Sequence, residues 1–376
     1  MSKWAEEIHE SPWRGVFHMT GGGSLLVSDL LTTAGASSTI LEILIPYSNK
    51  SLSELISKKE EKAVSKNVSR QLSVSAFLRA KELSDYSQNK VFGLGLTASL
   101  STKEAKRGQT HAHWCIQTMK STFSFKIALE KLSSRQEQEI TLLEAIQKTI
   151  SYALLKDEWQ RSDNAITRQE FHATPAWQKL FLDEICSNPT KEHDGKLVFP
   201  GSFNPLHDGH VEMLEHAEKI TGLSGGFEIT VVNSDKPPLD YLTLSERIGG
   251  LSKYPVWVTN AGTFDQKIGL FPMATFVVGV DTIIRIADPK FYGGDPVKLE
   301  DALNRIYKSK IKFLVFGRLI NDKFMELKDV DIPKTLLNRC DSVPENLFRN
   351  DLSSTRNFIL LNAFFSPPTI IANEAS

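Results

Sequence analysis

Gly201-Ser202-Phe203-Asn204-Pro205-Leu206-His207-Asp208-Gly209-His210 is the stretch on which the reading of this chain turns. An apolar run at 196–199 (KLVF) precedes it and the segment 211–217 (VEMLEHA) follows it. That order predicts a strand, a tight loop and a helix. Apolar residues at 211, 214, 217 and 220 keep a helical spacing, so one helix face is expected to pack on a sheet. Gly201 and Gly209 let backbone come close to a ligand. Helix-start N–H groups favour an anion, and His207 and His210 stand where the helix begins, spaced to donate together to phosphate oxygens.

The pattern G-x-F-x-P-x-H-x-G-H, filled here by Gly201, Phe203, Pro205, His207, Gly209 and His210, resembles the signature of the nucleotidylyltransferase superfamily. The resemblance implies a Rossmann-like parallel sheet and transfer of a nucleotidyl group from ATP or CTP to a phosphate ester, with release of pyrophosphate. Neither nucleophile nor leaving group in that reaction needs much proton transfer. Catalysis then rests on positioning and on charge stabilisation at the α-phosphorus. His207 and His210 are the expected catalytic pair. Gly201, Ser202, Phe203, Asn204 and Gly209 are the expected nucleotide loop. Magnesium is expected with ATP, bridging its phosphates, and no metal ligand is assigned to the protein.

A second stretch, Asp351-Leu352-Ser353-Ser354-Thr355-Arg356-Asn357, resembles the family's I-S-S-T-x-x-R element. It implies that Ser353, Ser354 and Thr355 bind the triphosphate. Phe358 stands where the family has arginine, so the charge is expected from Arg356 or from Arg318. Between the two motifs, 227–232 (FEITVV) reads as a strand, followed by a loop carrying Lys236 in the region where relatives recognise the acceptor. Thr243 and Glu246 have capping-box spacing for a helix start. The strand at 275–280 (TFVVGV) ends in Gly279-Val280-Asp281, which resembles the Gly-x-Asp of nicotinate and nicotinamide mononucleotide adenylyltransferases. Those enzymes carry a nearby tryptophan that stacks on the pyridine ring; Phe291-Tyr292 stands in that region here. A further strand at 312–316 (KFLVF) leads into Gly317-Arg318. Lys236, Gly279 and Asp281 are thus the expected acceptor residues, and a pyridine mononucleotide in NAD biosynthesis is the implied acceptor. A transferase using CTP, or ATP with another phosphate ester, stays open, as does an inactive nucleotide-binding sensor or scaffold.

The first half of the chain lacks the Gly-Lys-Ser/Thr ending of a nucleoside triphosphate loop after Thr20-Gly21-Gly22-Gly23. Through His18-Met19-Thr20-Gly21-Gly22, Gly35-Ala36-Ser37-Ser38 and Pro46-Tyr47-Ser48-Asn49 it resembles the nicotinamide-nucleotide amidase family, the C-terminal domain of competence-damage-inducible proteins. The family's serine nucleophile aligns with His18, and its later T-G-I-A-G-P keeps only Thr97. Amide hydrolysis by a serine needs that hydroxyl, so the resemblance implies a domain without amidase activity. An amphipathic helix over 136–155, apolar at 140, 143, 146, 150 and 154, is expected to close it. Strand alternation puts His111, His113 and Cys115 on one face, but no fourth ligand accompanies them, and they read as strand residues.

The fold class is therefore α/β in two domains: residues 1–157 amidase-like, 158–195 a connector, 196–365 nucleotidylyltransferase, and 366–376 a tail. A net charge of -1 gives no reason to expect nucleic acid or an acidic membrane as partner. The expected partners are a nucleoside triphosphate and a small phosphorylated acceptor, with a homo-oligomer compatible. Three widely spaced cysteines point to a reducing compartment, read as cytoplasmic with the nucleus left open.

Overall fold

The computed structural model describes residues 2–57, 62–84, 90–103, 108–159, 165–232, 238–320 and 322–350. It divides into two compact units, one made of Met1–Asn188 with Val231–Glu246, the other of Pro189–Thr230 with Arg247–Ser376. Each is built on its own α/β sheet.

The first unit carries strands β1 (Arg14–Thr20), β2 (Ile40–Leu44), β3 (Val91–Ser99), β4 (His111–Thr118), β5 (Ser121–Ala128) and β6 (Ile166–His172), with helices α1 (Lys3–Glu10), α2 (Ser24–Thr32), α3 (Asn49–Leu55), α4 (Lys66–Leu83), α5 (Arg135–Ile150) and α6 (Pro175–Phe181). The sheet order is β2-β1-β3-β4-β5-β6. β1 runs parallel to β2 and β3, and β3 through β6 are antiparallel, so the sheet is mixed. Part of the stretch read as a connector thus forms β6 and α6.

Strand alternation divides the residues between two faces. Phe17, Met19, Phe92, Leu94, Leu96, Trp114 and Ile116 join Leu142, Ile146 and Ile150 of α5 in one core. On the other face α4 lies directly on β3: a Cβ at Gly93 would come within 2.1 Å of the Phe77 nitrogen, and one at Gly95 within 2.2 Å of the Ser69 carbonyl oxygen. The expected helix over 136–155 differs in two respects. Ile140 is exposed, and the last turn, Ser151–Leu155, is π-helical. The buried stripe runs instead through Leu142, Ala145, Ile146 and Ile150.

The second unit holds β8 (Leu197–Pro200), β9 (Gly225–Thr230), β10 (Val256–Thr259), β11 (Thr275–Gly279), β12 (Lys312–Phe316) and β15 (Cys340–Val343), with β7 (Ser187–Pro189) at one edge. Its order is β15-β12-β11-β8-β9-β10-β7, and from β15 through β10 every pairing is parallel. A small antiparallel pair, β13 (Arg318–Ile320) and β14 (Lys323–Met325), stands apart. The helices are α7 (Asp208–Thr221), α9 (Phe264–Leu270), α10 (Val280–Ile286), α11 (Pro296–Lys308) and α12 (Lys334–Leu337), while α8 (Tyr241–Gly250) has its residues up to Glu246 in the first unit and the rest in the second. Val198, Phe276, Val278, Phe313 and Val315 form the core with Ile283 and Ile306 of α10 and α11.

Two expectations need correction here. α8 starts at Tyr241 and not at Thr243: Asp240 caps it, accepting from the Thr243 amide at 2.9 Å. Glu246, expected to complete a capping box, instead accepts from the buried guanidinium of Arg70 at 3.1 Å, within the first unit. The face of α7 is also rotated. His210, Met213, Leu214 and Ala217 are buried, whereas Val211 is half-buried and Ile220 exposed. A helix can bury only one stripe, and turning His210 inward moves Val211 and Ile220 off it.

Candidate active site

Strands β8, β9 and β10 proceed to one side of the second sheet, and β11, β12 and β15 to the other. The strand order reverses between β8 and β11. In an open parallel sheet the crevice at the carboxyl ends of the strands flanking such a reversal is the natural ligand site. The loop after β8 is Gly201–His207, which leads into the first turn of α7 with His210, and Gly279 closes β11 beside it.

That loop is tightly specified. The Gly201 amide donates to the Glu228 carbonyl at 3.0 Å, and a Cβ on Gly201 would meet the Phe203 ring at 2.5 Å. Phe203 takes a left-handed φ of 42°, an uncommon conformation for a residue with a side chain. Burial of its ring holds it there, edge-on to Phe199 (5.4 Å), Phe227 (4.8 Å) and His210 (5.1 Å). The Asn204–Pro205 peptide is cis, and Ser202 and Asn204 are exposed.

His207 is the N-cap of α7 and His210 its third residue. The rings stack, with centroids 3.6 Å apart and planes inclined by 25°. The His210 amide donates to the His207 carbonyl at 2.9 Å, and the His207 amide donates to Nδ1 of His210 at 3.4 Å. An Nδ1 that accepts carries no proton, so the neutral imidazole of His210 holds its hydrogen on Nε2. Burial, then the charges of His207 and Arg318, push the His210 pKa down to about 3. Burial and the Arg318 charge also lower that of His207, partly opposed by Asp208. Both rings are thereby favoured as neutral N–H donors beside a cation.

Arg318, half-buried at the start of β13, lies 3.4 Å by its Nε from Oδ1 of Asp281 in the first turn of α10. Gly279 makes room for them: a Cβ there would fall 2.3 Å from Asp281 Oδ1 and 3.1 Å from Arg318 Cγ. The structure thus brings together the 201–207 loop, the histidine pair, Gly279, Asp281 and Arg318. At Gly209 a Cβ would meet the Asn350 amide oxygen at 3.0 Å, and Asn350 donates to Glu212 at 2.6 Å. Lys236, Ser353, Ser354, Thr355 and Arg356 lie outside the described residues.

Residues 198–356 match the family model of the cytidylyltransferase-like proteins. That range is a cytidylyltransferase-like nucleotidylyltransferase domain. No curated protein matches the chain. Among solved structures, its N-terminal region is similar to a competence/damage-inducible protein, CihA, from Agrobacterium tumefaciens, at 15% identity and a TM-score of 0.32, covering 41% of this chain and 94% of that one. A CinA superfamily protein from Klebsiella pneumoniae is similar at 12% identity and a TM-score of 0.31, with 41% and 94% covered. One from Escherichia coli follows at 13% and 0.29, with 41% and 86% covered.

Other expected residues fall elsewhere. Phe291 and Tyr292 line a cavity of about 340 Å³ with Thr263, Gln266, Lys298 and Arg305; neither histidine is on its walls. The Tyr292 hydroxyl donates to the Ile286 carbonyl, and the Arg285 guanidinium sits over the Phe291 ring at 4.6 Å. In the first unit, His18 is 1% exposed. Burial pushes its pKa down to about 4. Cys115 is fully buried with its pKa raised to about 12, so its thiol is inert at neutral pH.

One group near the cytidylyltransferase-like site had no signal in the sequence. Glu228 is buried and accepts from Lys267 Nζ at 2.6 Å and from the Thr259 hydroxyl; Lys267 also donates to the Ala261 carbonyl at 2.8 Å. The same Glu228 receives the Gly201 amide on its backbone. Partners 31 and 39 residues apart leave no local pattern to read.

Proposed function

We propose that the second unit transfers an adenylyl group from ATP to a pyridine mononucleotide, releasing pyrophosphate, with magnesium entering bound to the triphosphate. The observation that bears this reading is the neutral, stacked histidine pair at the N-terminus of α7, with Arg318 close enough to lower both pKa values. A triphosphate placed there would meet the Nε2–H of His210, the first amides of a 14-residue helix and the Arg318 guanidinium. These donors act on the charge that grows on the α-phosphorus and the leaving pyrophosphate. None must itself gain or lose a proton. Ser353, Ser354, Thr355 and Arg356 are proposed to hold the far end of the triphosphate. Lys236, Gly279 and Asp281 are proposed for the acceptor; for the last two the support is their place beside Arg318 at the end of β11.

For the first unit we infer no serine amidase activity. His18 occupies the position expected for the nucleophile and is sealed from solvent.

The test offers the full chain Mg-ATP or Mg-CTP with nicotinamide mononucleotide, nicotinate mononucleotide or a simple phosphate ester. Products are read by mass and by pyrophosphate. A dinucleotide from ATP and either mononucleotide is expected. Product from CTP alone, or only from another ester, would replace the acceptor assignment and keep nucleotidyl transfer; nucleotide binding with no product from any pair would leave a sensor.

A further inference from the structure

We propose that a hollow in the first unit, at the C-terminal end of α5, binds a small organic cation carrying a substituted ammonium group. It encloses about 300 Å³, near the lower end of small-molecule sites. Its walls include Trp4, Tyr152 and Trp159, and its charged residues are Asp157, Glu158 and Lys148.

The aromatic walls are fixed by their polar ends. The Trp4 indole N–H donates to the Ser151 hydroxyl at 3.0 Å and the Tyr152 hydroxyl donates to Glu170 at 2.7 Å. Tyr152 meets Trp159 edge-on at 5.3 Å, and Trp159 stacks on Phe125 at 6.2 Å. With the polar atoms of Trp4 and Tyr152 committed, it is their rings, with that of Trp159, that line the hollow, and an aromatic ring attracts cations. The fold already uses that attraction: the Arg168 guanidinium lies 4.7 Å from the Tyr152 centroid and 4.8 Å from that of Trp159.

The backbone sets the carboxylates beside the rings. α5 ends in the π-helical turn Ser151–Leu155, Lys156 takes a left-handed φ of 67°, and the Asp157 amide returns to the Ser151 carbonyl at 3.3 Å. Asp157 and Glu158 are exposed, and neither joins an ion pair among the described residues. Asp157, Glu158 and Glu170 against Lys148 and Arg168 leave the surroundings of the rings net negative. Three half-buried aromatic side chains beside that charge suit a cation that is bulky, poorly hydrated and short of hydrogen-bond donors. A methylated ammonium fits that description better than an inorganic ion, which demands a full oxygen shell.

Calorimetric titration of the full chain with choline chloride tests this, beside sodium chloride and the uncharged isostere 3,3-dimethylbutan-1-ol. Saturable choline binding is expected, with the isostere weaker by about tenfold or more. The double variant Asp157→Asn/Glu158→Gln, altered only at exposed positions, is expected to lose choline binding while its melting temperature stays unchanged. Trp159→Leu should lose it too, with its fold checked by circular dichroism. Equal affinity for the uncharged isostere, retention of binding in the acid double variant, or no saturable choline binding would each overturn the proposal.

Discussion

His210 meets two demands at once: its ring is packed against Phe199 and Phe203, and its Nδ1 is held by the amide of His207. Packing removes water and so removes the proton that would make it cationic. The hydrogen bond leaves the remaining proton on Nε2. Nitrogen-15 shifts of the His210 ring in the free protein should therefore report the neutral Nε2–H form, with a pKa near 3 and no inflection at the ordinary 6.5. An Nδ1–H tautomer, or titration near 6.5, would contradict this geometry. Gly201 is equally exposed to test. An added methyl would sit 2.5 Å from the Phe203 ring, itself pinned by three aromatic neighbours. Gly201→Ala should destabilise the chain by about 1–3 kcal/mol, as overpacking does, and should depress pyrophosphate release. A variant with wild-type urea midpoint and rate would show that the loop yields more easily than its packing indicates. The histidines and glycines were legible in the sequence because their spacing is local. The tautomer was not, since it depends on how the helix start closes.

Elements were legible where they are short, apolar and buried on both sides. β12 falls where its KFLVF run predicts, and β8, β9 and β11 lie within two residues of their expected bounds. The face of α7 and the start of α8 were misread for a common reason. A periodic pattern gives a helix but not which stripe the surroundings will claim, and Asp240 caps the helix ahead of Thr243 by accepting from the Thr243 amide. The Glu228–Lys267 pair belongs at this scale, since it ties β9 to α9 and Glu228 also receives the Gly201 amide of the loop after β8. Lys267→Met would leave the Glu228 carboxylate buried without its cation, a loss of about 3–5 kcal/mol in stability. Adding Glu228→Gln should recover part of that loss. Equal urea midpoints for Lys267→Met and the unaltered chain would show that the pair contributes nothing.

Over the whole molecule, the second unit was far easier to read than the first. Its site motif is continuous in sequence, whereas the first unit mixes parallel and antiparallel strands and draws in residues 231–246 from between two strands of the other sheet. Among the described residues no helix is long and apolar enough to cross a membrane. Acid should unfold the chain partly through its buried histidines. His18 has its pKa lowered from 6.5 to about 4, so its contribution is complete above 6.5 and is lost as the pH falls from there toward 4. The full loss is about 3 kcal/mol at 1.4 kcal/mol per unit of separation. His18→Gln should accordingly lose less of its stability between neutral pH and pH 4 than the unaltered chain does; parallel loss in the two would remove His18 from the account. The central claim is that the histidine pair of the second unit stabilises a transferring phosphate, and the most direct measurement is pyrophosphate release by the full chain and by His210→Ala. With Mg-ATP and a pyridine mononucleotide, the substitution should lower the rate by about 10²–10³, the usual cost of one such donor, while the melting curve still shows a folded protein. An unchanged rate in a folded His210→Ala chain would contradict the claim.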